Sequence, residues 1–307
     1  MRPILPAIAL LATLAACDAG GDGTNPLTAG PDDEEDSGAD PGTSVTSGTT
    51  TKRLTGELTG ITLNGDGTLT VDNLPFDGPE GTGAELYRPM GLAVVTGFTA
   101  YESGDATAET NQVKYFAVYA EGNHSSAGAV GTGDYVDYGF GGAQYGRDAA
   151  VAPDIAREGE AVYNGNYGAV RVVTGSNGPG DLSLVSGDIE LQVDFLDFET
   201  TGAVEGFVTN RTVYDTNGSM LGTLPTIILG TAEINDEGFI DGGQAVTLHN
   251  SGPNAGEVFE SGGWEGAFAG PNSEEIVGVI VISGPASQAV DEDESAQETG
   301  VFIATDP

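Results

Sequence analysis

Eight consecutive residues, Asp188-Ile189-Glu190-Leu191-Gln192-Val193-Asp194-Phe195, alternate strictly between acidic or polar and apolar side chains. Successive side chains on a strand point to opposite faces, so this segment demands a sheet with one wet and one dry side. The same order on a helix would scatter its apolar residues around the whole circumference. Short apolar runs of strand length recur at Tyr163–Val173, Ala203–Thr209, Thr226–Ile234, Phe239–Leu248, Trp264–Ala269, Ile276–Ser283 and Val301–Thr305. Counting the first, that makes about eight strands, enough to close a small barrel filled by its own side chains. No stretch offers a long amphipathic helix. The chain is therefore predicted to be all-β, with an eight-stranded antiparallel barrel over residues 158–307.

Such a barrel belongs in water. A membrane-spanning barrel turns apolar residues toward lipid and keeps polar ones inside, and eight strands leave little internal room for this many carboxylates. An apolar interior is expected. The preceding region, 54–150, reads as a smaller β-rich domain. Leu58-Thr59-Gly60-Ile61-Thr62-Leu63, Asn64-Gly65-Asp66-Gly67 and Thr68-Leu69-Thr70-Val71 make a strand, a turn and a strand. Val113–Ala120 and Tyr135–Phe140 are further strand candidates. A short helix is predicted between Ala150 and Glu160, where the two regions join.

The start of the chain carries a different signal. Arg2 precedes an apolar run from Ile4 to Ala15, too short to span a bilayer, and Leu14-Ala15-Ala16-Cys17 closes it. This reads as a secretory signal over residues 1–16. Its end resembles the bacterial lipobox, in which the cysteine is lipidated, so Cys17 is the expected lipidation site and the anchor to the membrane. Cys17 is also the only cysteine, so disulfides, thiolate catalysis and zinc–cysteine sites drop out. Residues 17–53, with Gly20-Gly21-Asp22-Gly23, Asp32-Asp33-Glu34-Glu35-Asp36 and a Ser/Thr/Gly tract, have almost nothing to bury and are predicted to be a disordered tether. Asp18 follows the cysteine, an arrangement that holds lipoproteins in the inner membrane in some enteric bacteria. Placement in the outer membrane, facing outward, is nevertheless the expectation, with a periplasm-facing protein as the alternative.

Charge narrows the partners. The chain carries 47 acidic residues against 9 Lys and Arg, a formal net charge of −38. Neutralising phosphates takes clusters of Lys and Arg, so nucleic acid is excluded as a partner, as is electrostatic docking on anionic lipid. Membrane attachment would rest on the acyl chains alone.

One stretch supports a family resemblance. In Gly263-Trp264-Glu265-Gly266-Ala267-Phe268-Ala269-Gly270-Pro271-Asn272-Ser273-Glu274-Glu275-Ile276-Val277-Gly278, a large ring, a glycine and a second ring share one strand face. A Gly-Pro-Asn turn follows, and then a strand apolar almost throughout. The stretch resembles the Gly-x-Phe-x-Gly-Pro…Glu…Gly pattern in the barrel of the transferrin-binding protein B family of Gram-negative surface lipoproteins. Gly266, Phe268, Gly270, Pro271, Glu275 and Gly278 fill its positions. Tyr163-Asn164-Gly165-Asn166-Tyr167, Val204-Glu205-Gly206 and Gly300-Val301-Phe302-Ile303-Ala304 support it, although Ile280 stands where an aromatic is common. The resemblance implies a barrel preceded by a β-rich handle domain, here 54–150, and a role in binding a protein or nutrient-carrying ligand, with iron or haem acquisition in its best-known members. The alternative is a structural or adhesive surface lipoprotein without a specific ligand.

Candidate chemistry is sparse. His124, in Gly122-Asn123-His124-Ser125-Ser126, and His249, before Asn250-Ser251-Gly252-Pro253, read as a loop residue and a strand-end residue, and no Gly-x-Ser-x-Gly nucleophile pattern occurs. Asn64–Thr68 and Asp236-Glu237-Gly238 read as hairpin turns rather than calcium loops, the first lacking the full ligand spacing. Asp291-Glu292-Asp293-Glu294 reads as a solvated loop. Glu275 is expected to accept backbone N–H bonds at the turn before a buried strand. No enzyme activity, cofactor or metal is predicted. The loops Thr174–Leu182, Asp215–Thr223 and Ala286–Thr299 are the expected contacts to a ligand.

Overall fold

The structure is a computed structural model. It describes residues 43–46, 49–54, 58, 60–72, 74, 77, 84–104, 113–134, 140–148, 150–156, 159–174, 181–198, 201–287 and 294–306. Cys17, the signal segment, the expected strand at 135–139 and the acidic run 291–293 lie outside those residues.

All the regular structure described is β. The N-terminal lobe contains β1 (Thr43–Thr46), β2 (Thr49–Leu54), β3 (Gly60–Leu63), β4 (Leu69–Asp72), β5 (Ala84–Pro89), β6 (Thr99–Glu102), β7 (Phe116–Glu121), β8 (Ser125–Gly131) and β9 (Gly141–Asp148). The C-terminal lobe contains β10 (Glu160–Thr174), β11 (Asp181–Phe198), β12 (Thr201–Tyr214), β13 (Met220–Thr223), β14 (Ile227–Ile234), β15 (Phe239–Leu248), β16 (Val258–Ala269), β17 (Glu275–Pro285) and β18 (Ser295–Thr305). The short helix expected toward Glu160 is absent among the described residues 150–156, which run as turn and irregular chain. Pro153 brings no backbone N–H to a helix there.

The second lobe is the predicted barrel. Its strands pair antiparallel in the order β11-β10-β18-β17-β16-β15-β14-β12, and β11 pairs with β12 to close the ring at eight, with β13 a short appendage on β12. Tyr163, Tyr167, Ile189, Leu191, Trp264, Phe268 and Phe302 fill its centre. The ring-and-glycine idea holds in kind but not in place. Gly266 faces the Val277 carbonyl and Ile240; the room for rings comes from neighbouring strands. A Cβ on Gly243, Gly278 or Gly300 would collide with Trp264, Phe302 or Tyr167. Large residues thus sit over the glycines of adjacent strands, which is how a narrow barrel fits aromatic side chains. The Gly-Pro-Asn turn forms as expected, with positive φ at Gly270 and Ser273. The Tyr163 hydroxyl donates to the Ser273 carbonyl at 2.6 Å, fastening that turn beneath the barrel.

The first lobe is a curled sheet in the order β1-β2-β9-β8-β7-β6-β5-β4-β3. Thr43–Thr46 and Thr49–Leu54, assigned to the tether by composition, extend this sheet as β1 and β2, consistent with the strand preference of Thr. The curl brings β3 back over β8 and β9. There the Gln144 side chain stands in for a strand's peptide group, accepting from the Ile61 N–H and donating to the Ile61 carbonyl, both at 3.0 Å.

The handle has its own core around Leu69, Tyr87 and Tyr115, and the two lobes share a third apolar cluster. Strands β7, β8 and β9 lie against the outside of β10, β16, β17 and β18. Ala127, Ala129 and Ala143 meet Val277, Val279 and Val281 there, so β17 is buried on both faces. Small residues on the handle side let two sheets approach closely.

Candidate functional site

One end of the barrel differs from the rest of its interior. Arg171 on β10, Arg211 on β12, Glu260 on β16 and Glu298 on β18 all point inward and are at most 2% exposed. Arg171 Nη1 lies 2.6 Å from Glu260 and 3.2 Å from Glu298. Arg211 reaches Glu298 at 2.7 Å through Nη2 and Glu260 at 3.4 Å through Nη1. Each guanidinium therefore bridges both carboxylates. Arg211 Nη1 also donates to the Pro225 carbonyl, Thr247 to Glu260 and Tyr167 to Glu298. The expectation of a wholly apolar interior is corrected here: one end is closed by a neutral ionic plug.

A β-bulge puts Arg211 in place. Along β12, Val204, Gly206 and Val208 face inward, so plain alternation would send Asn210 inside and Arg211 out. Instead the register steps from Asp188↔Thr209 to Ser186↔Thr212, leaving Asn210 and Arg211 together opposite Gly187. Asn210 takes a left-handed φ of 54° and its side chain turns outward to Asp188. The extra residue reverses the parity, which is how bulges re-aim side chains.

Burial by itself pushes the Glu298 carboxyl up. Arg211 and then Arg171 outweigh it, with help from hydrogen bonds from Arg211 and Tyr167, and hold it below its ordinary value. Burial pulls Arg211 down, and Glu298 and Glu260 more than restore it. The plug is a set of ion pairs sealed from solvent. It fixes strands; it does not present a reactive surface.

Above the plug lies the rim of the barrel, where the β12–β14 and β15–β16 connections run. The rim exposes large apolar side chains: Met220 is 61% exposed, Leu221 63% and Val258 57%. Leu92 and Val94, from the handle connection between β5 and β6, approach Gly218 in the β12–β13 turn, so the handle adds to the same end. Of the loops expected to contact a ligand, 215–223 is described in full. Residues 175–180 and 288–293 fall outside the description, and Ser295–Thr299 belong to β18 rather than to a loop.

The histidines do not meet. His249 stacks on Phe259 at 5.0 Å beside the start of β16, whereas the His124 ring lies by Gly270 beyond its end. At ~3.3 Å per residue the two are about 35 Å apart along that strand. Asn64–Thr68 is a hairpin turn in which Asp66 accepts from the Thr68 N–H and hydroxyl. Asp236-Glu237-Gly238 is another, capped by Asn235, and no group of three potential metal ligands occurs among the described residues. The Asp215 carboxylate accepts from the N–H groups of Asn217 and Ser219 in an exposed turn.

Glu275 does accept backbone N–H bonds, but from the other lobe. It takes the N–H groups of Asn123 at 2.6 Å and His124 at 3.1 Å and the Ser125 hydroxyl at 2.7 Å, and is 1% exposed. Beside it, Arg147 donates to the carbonyls of Gly238, Phe268 and Glu237 and covers the Phe239 ring at 4.4 Å. Tyr145 reaches Glu265 at 3.3 Å, and burial pushes its hydroxyl well up. These groups bind handle to barrel. The sequence pointed to Glu275 alone.

No family model and no curated protein matches the chain. Solved structures do. The chain is similar to transferrin-binding protein B from Haemophilus parasuis Hp5, at 14% identity and a TM-score of 0.38, over 84% of this chain and 50% of that one. The isotype 1 transferrin-binding protein B from serogroup B Neisseria meningitidis gives 16% identity and a TM-score of 0.34, over 85% and 50%. A structure described as a surface lipoprotein gives 15% identity and 0.33, over 60% and 76%. The chain spans about half the length of the transferrin-binding protein B structures it matches, and it resembles them in fold.

Proposed function

We propose that this chain is an envelope lipoprotein that captures a protein or nutrient-carrying ligand, in iron or haem acquisition, at the rim above the plug of its barrel. Acyl groups on Cys17 would hold it in the outer membrane, and a tether of residues 17–42, before β1, would span a few tens of ångströms. The reading is of a binding protein, not an enzyme. The observation that carries it is the set Met220, Leu221 and Val258, large apolar side chains more than half exposed at one end of the barrel. Exposed apolar clusters with a polar surround mark interaction sites.

Immobilised protein is expected to retain a saturable partner from the surrounding medium. Replacing both rim residues, Met220→Glu with Leu221→Glu, is expected to weaken that capture at least tenfold, the scale of a lost apolar anchor. Unchanged affinity in the double variant moves the contact elsewhere. Complete absence of a saturable partner leaves the structural or adhesive role. Surface display has its own check: protease added to intact cells is expected to remove the protein. Survival until lysis places it facing the periplasm.

A further inference from the structure

The barrel has two walls. One, over β16, β17, β18 and the Asn166–Val172 part of β10, is covered by the handle; the other, over the Glu160–Asn164 end of β10, the Asp188–Asp194 part of β11, β12 and β14, packs against no handle strand among the described residues. The bare wall is not an ordinary polar surface. Val162 is 43% exposed and Phe207 38%, and a groove of about 330 Å³ opens there, lined by Glu160, Val162, Gln192, Glu205 and Thr231 among others. The register brings these residues together: Val162 faces Gln192, which faces Glu205, and Glu190 lies directly across from Phe207.

The charge on this wall has one sign. From residue 160 to the end, the only Lys or Arg residues are Arg171 and Arg211, and both are turned into the plug. Every charged side chain that the barrel strands present outward is therefore a carboxylate. Glu160 stands directly across from Asp194 on the neighbouring strand, a like-charge cross-strand pairing that disfavours the sheet by itself. Carboxylates interspersed with exposed apolar side chains match a partner that brings positive charge on apolar stems, as Lys and Arg side chains do.

We propose that the bare wall, separate from the rim, docks a cationic polypeptide segment, with Lys or Arg side chains entering the groove against Glu160 and Glu205 and meeting Glu190 beside it, and apolar side chains resting on Val162 and Phe207. A field of one sign also steers such a partner inward and makes binding weaken steeply with salt.

The test uses the whole chain and a fluorescein-labelled peptide of alternating Arg and Leu, followed by anisotropy. The triple variant Glu160→Gln, Glu190→Gln, Glu205→Gln is expected to bind at least tenfold more weakly. A control that removes the same charge elsewhere, Asp154→Asn, Asp236→Asn, Glu237→Gln, is expected to change affinity less than threefold. Val162→Ser with Phe207→Ser is expected to weaken binding of the Arg-Leu peptide while leaving an Arg-Gly peptide unaffected. Equal losses in the two charge variants would overturn the proposal, since binding would then follow net charge alone. So would calcium ions binding the wall in the absence of any peptide affinity. Circular dichroism melts of each variant verify that the fold is retained.

Discussion

Replacing Arg211 with Met is expected to destabilise the barrel by about 3–5 kcal/mol in urea unfolding, the cost of removing one partner from a buried ion pair. Arg211 is enclosed with Glu260 and Glu298, and its loss leaves two fully buried carboxylates sharing Arg171. Desolvation of the stranded charge, rather than lost attraction, sets the size of the effect. A second variant separates these terms. Changing Arg171, Arg211, Glu260 and Glu298 together to apolar residues of similar volume is expected to recover most of the loss, because the desolvation penalty disappears with the charges. If the single change costs under 1 kcal/mol, the plug is not the sealed network described here.

Acid gives the same plug a signature. The Glu298 carboxyl is held below its ordinary value, so the folded state binds that proton less readily than the unfolded chain does. Its contribution to stability is present above the unfolded value of about 4.3 and is lost as pH falls through the lower folded value. In the Arg211→Met protein, burial dominates and the carboxyl moves up. The deficit of that variant relative to the parent is therefore expected to be greatest at neutral pH and to shrink toward pH 4. Unfolding series at several pH values measure both slopes.

The barrel was legible in sequence because its strands alternate. Asp188–Phe195 faces water on one side and core on the other, and its pattern states this directly. The apolar strand Ile276–Ser283 was legible as buried, and the structure adds the reason: its even-numbered residues face the core and its odd-numbered ones face the handle. The plug was not legible. Arg171 interrupts Ala169–Val173 at an inward position, which was a usable signal. Arg211, however, is placed by a bulge at Asn210, and a single inserted residue reverses every inference drawn from alternation. Strands β8 and β9 were also missed. Ser125–Gly131 and Gly141–Asp148 are rich in Gly and Ala, which lack strand preference, and they are small because the barrel wall lies against them. Composition that reads as loop was in fact composition for close sheet contact.

That contact explains the second large expectation. Glu275→Ala removes the acceptor for three donors at once, and the N–H groups of Asn123 and His124 would be left beside a cavity at the junction. Hydrogen bonds to a charged group are worth about 1.5–3 kcal/mol each, and the three share one carboxylate, so a loss of about 3–4 kcal/mol is expected. Arg147→Met removes donors to three barrel carbonyls in the same corner, since Ser125 and Arg147 are cross-strand partners and Ala269 pairs with Glu275. Such neighbours couple, so the double variant should lose less than the sum of the singles by 0.5 kcal/mol or more. Because both clamps cross between lobes, calorimetry should show the single transition splitting, with the handle melting first: the barrel keeps its closed ring of eight strands around a larger core, while the handle has only a smaller core around Leu69, Tyr87 and Tyr115 and leans on the shared apolar face. A double variant that still melts in one step at the parent temperature would mean that Ala127, Ala129 and Ala143 packed on β17 suffice to join the lobes, and that the clamps only orient them.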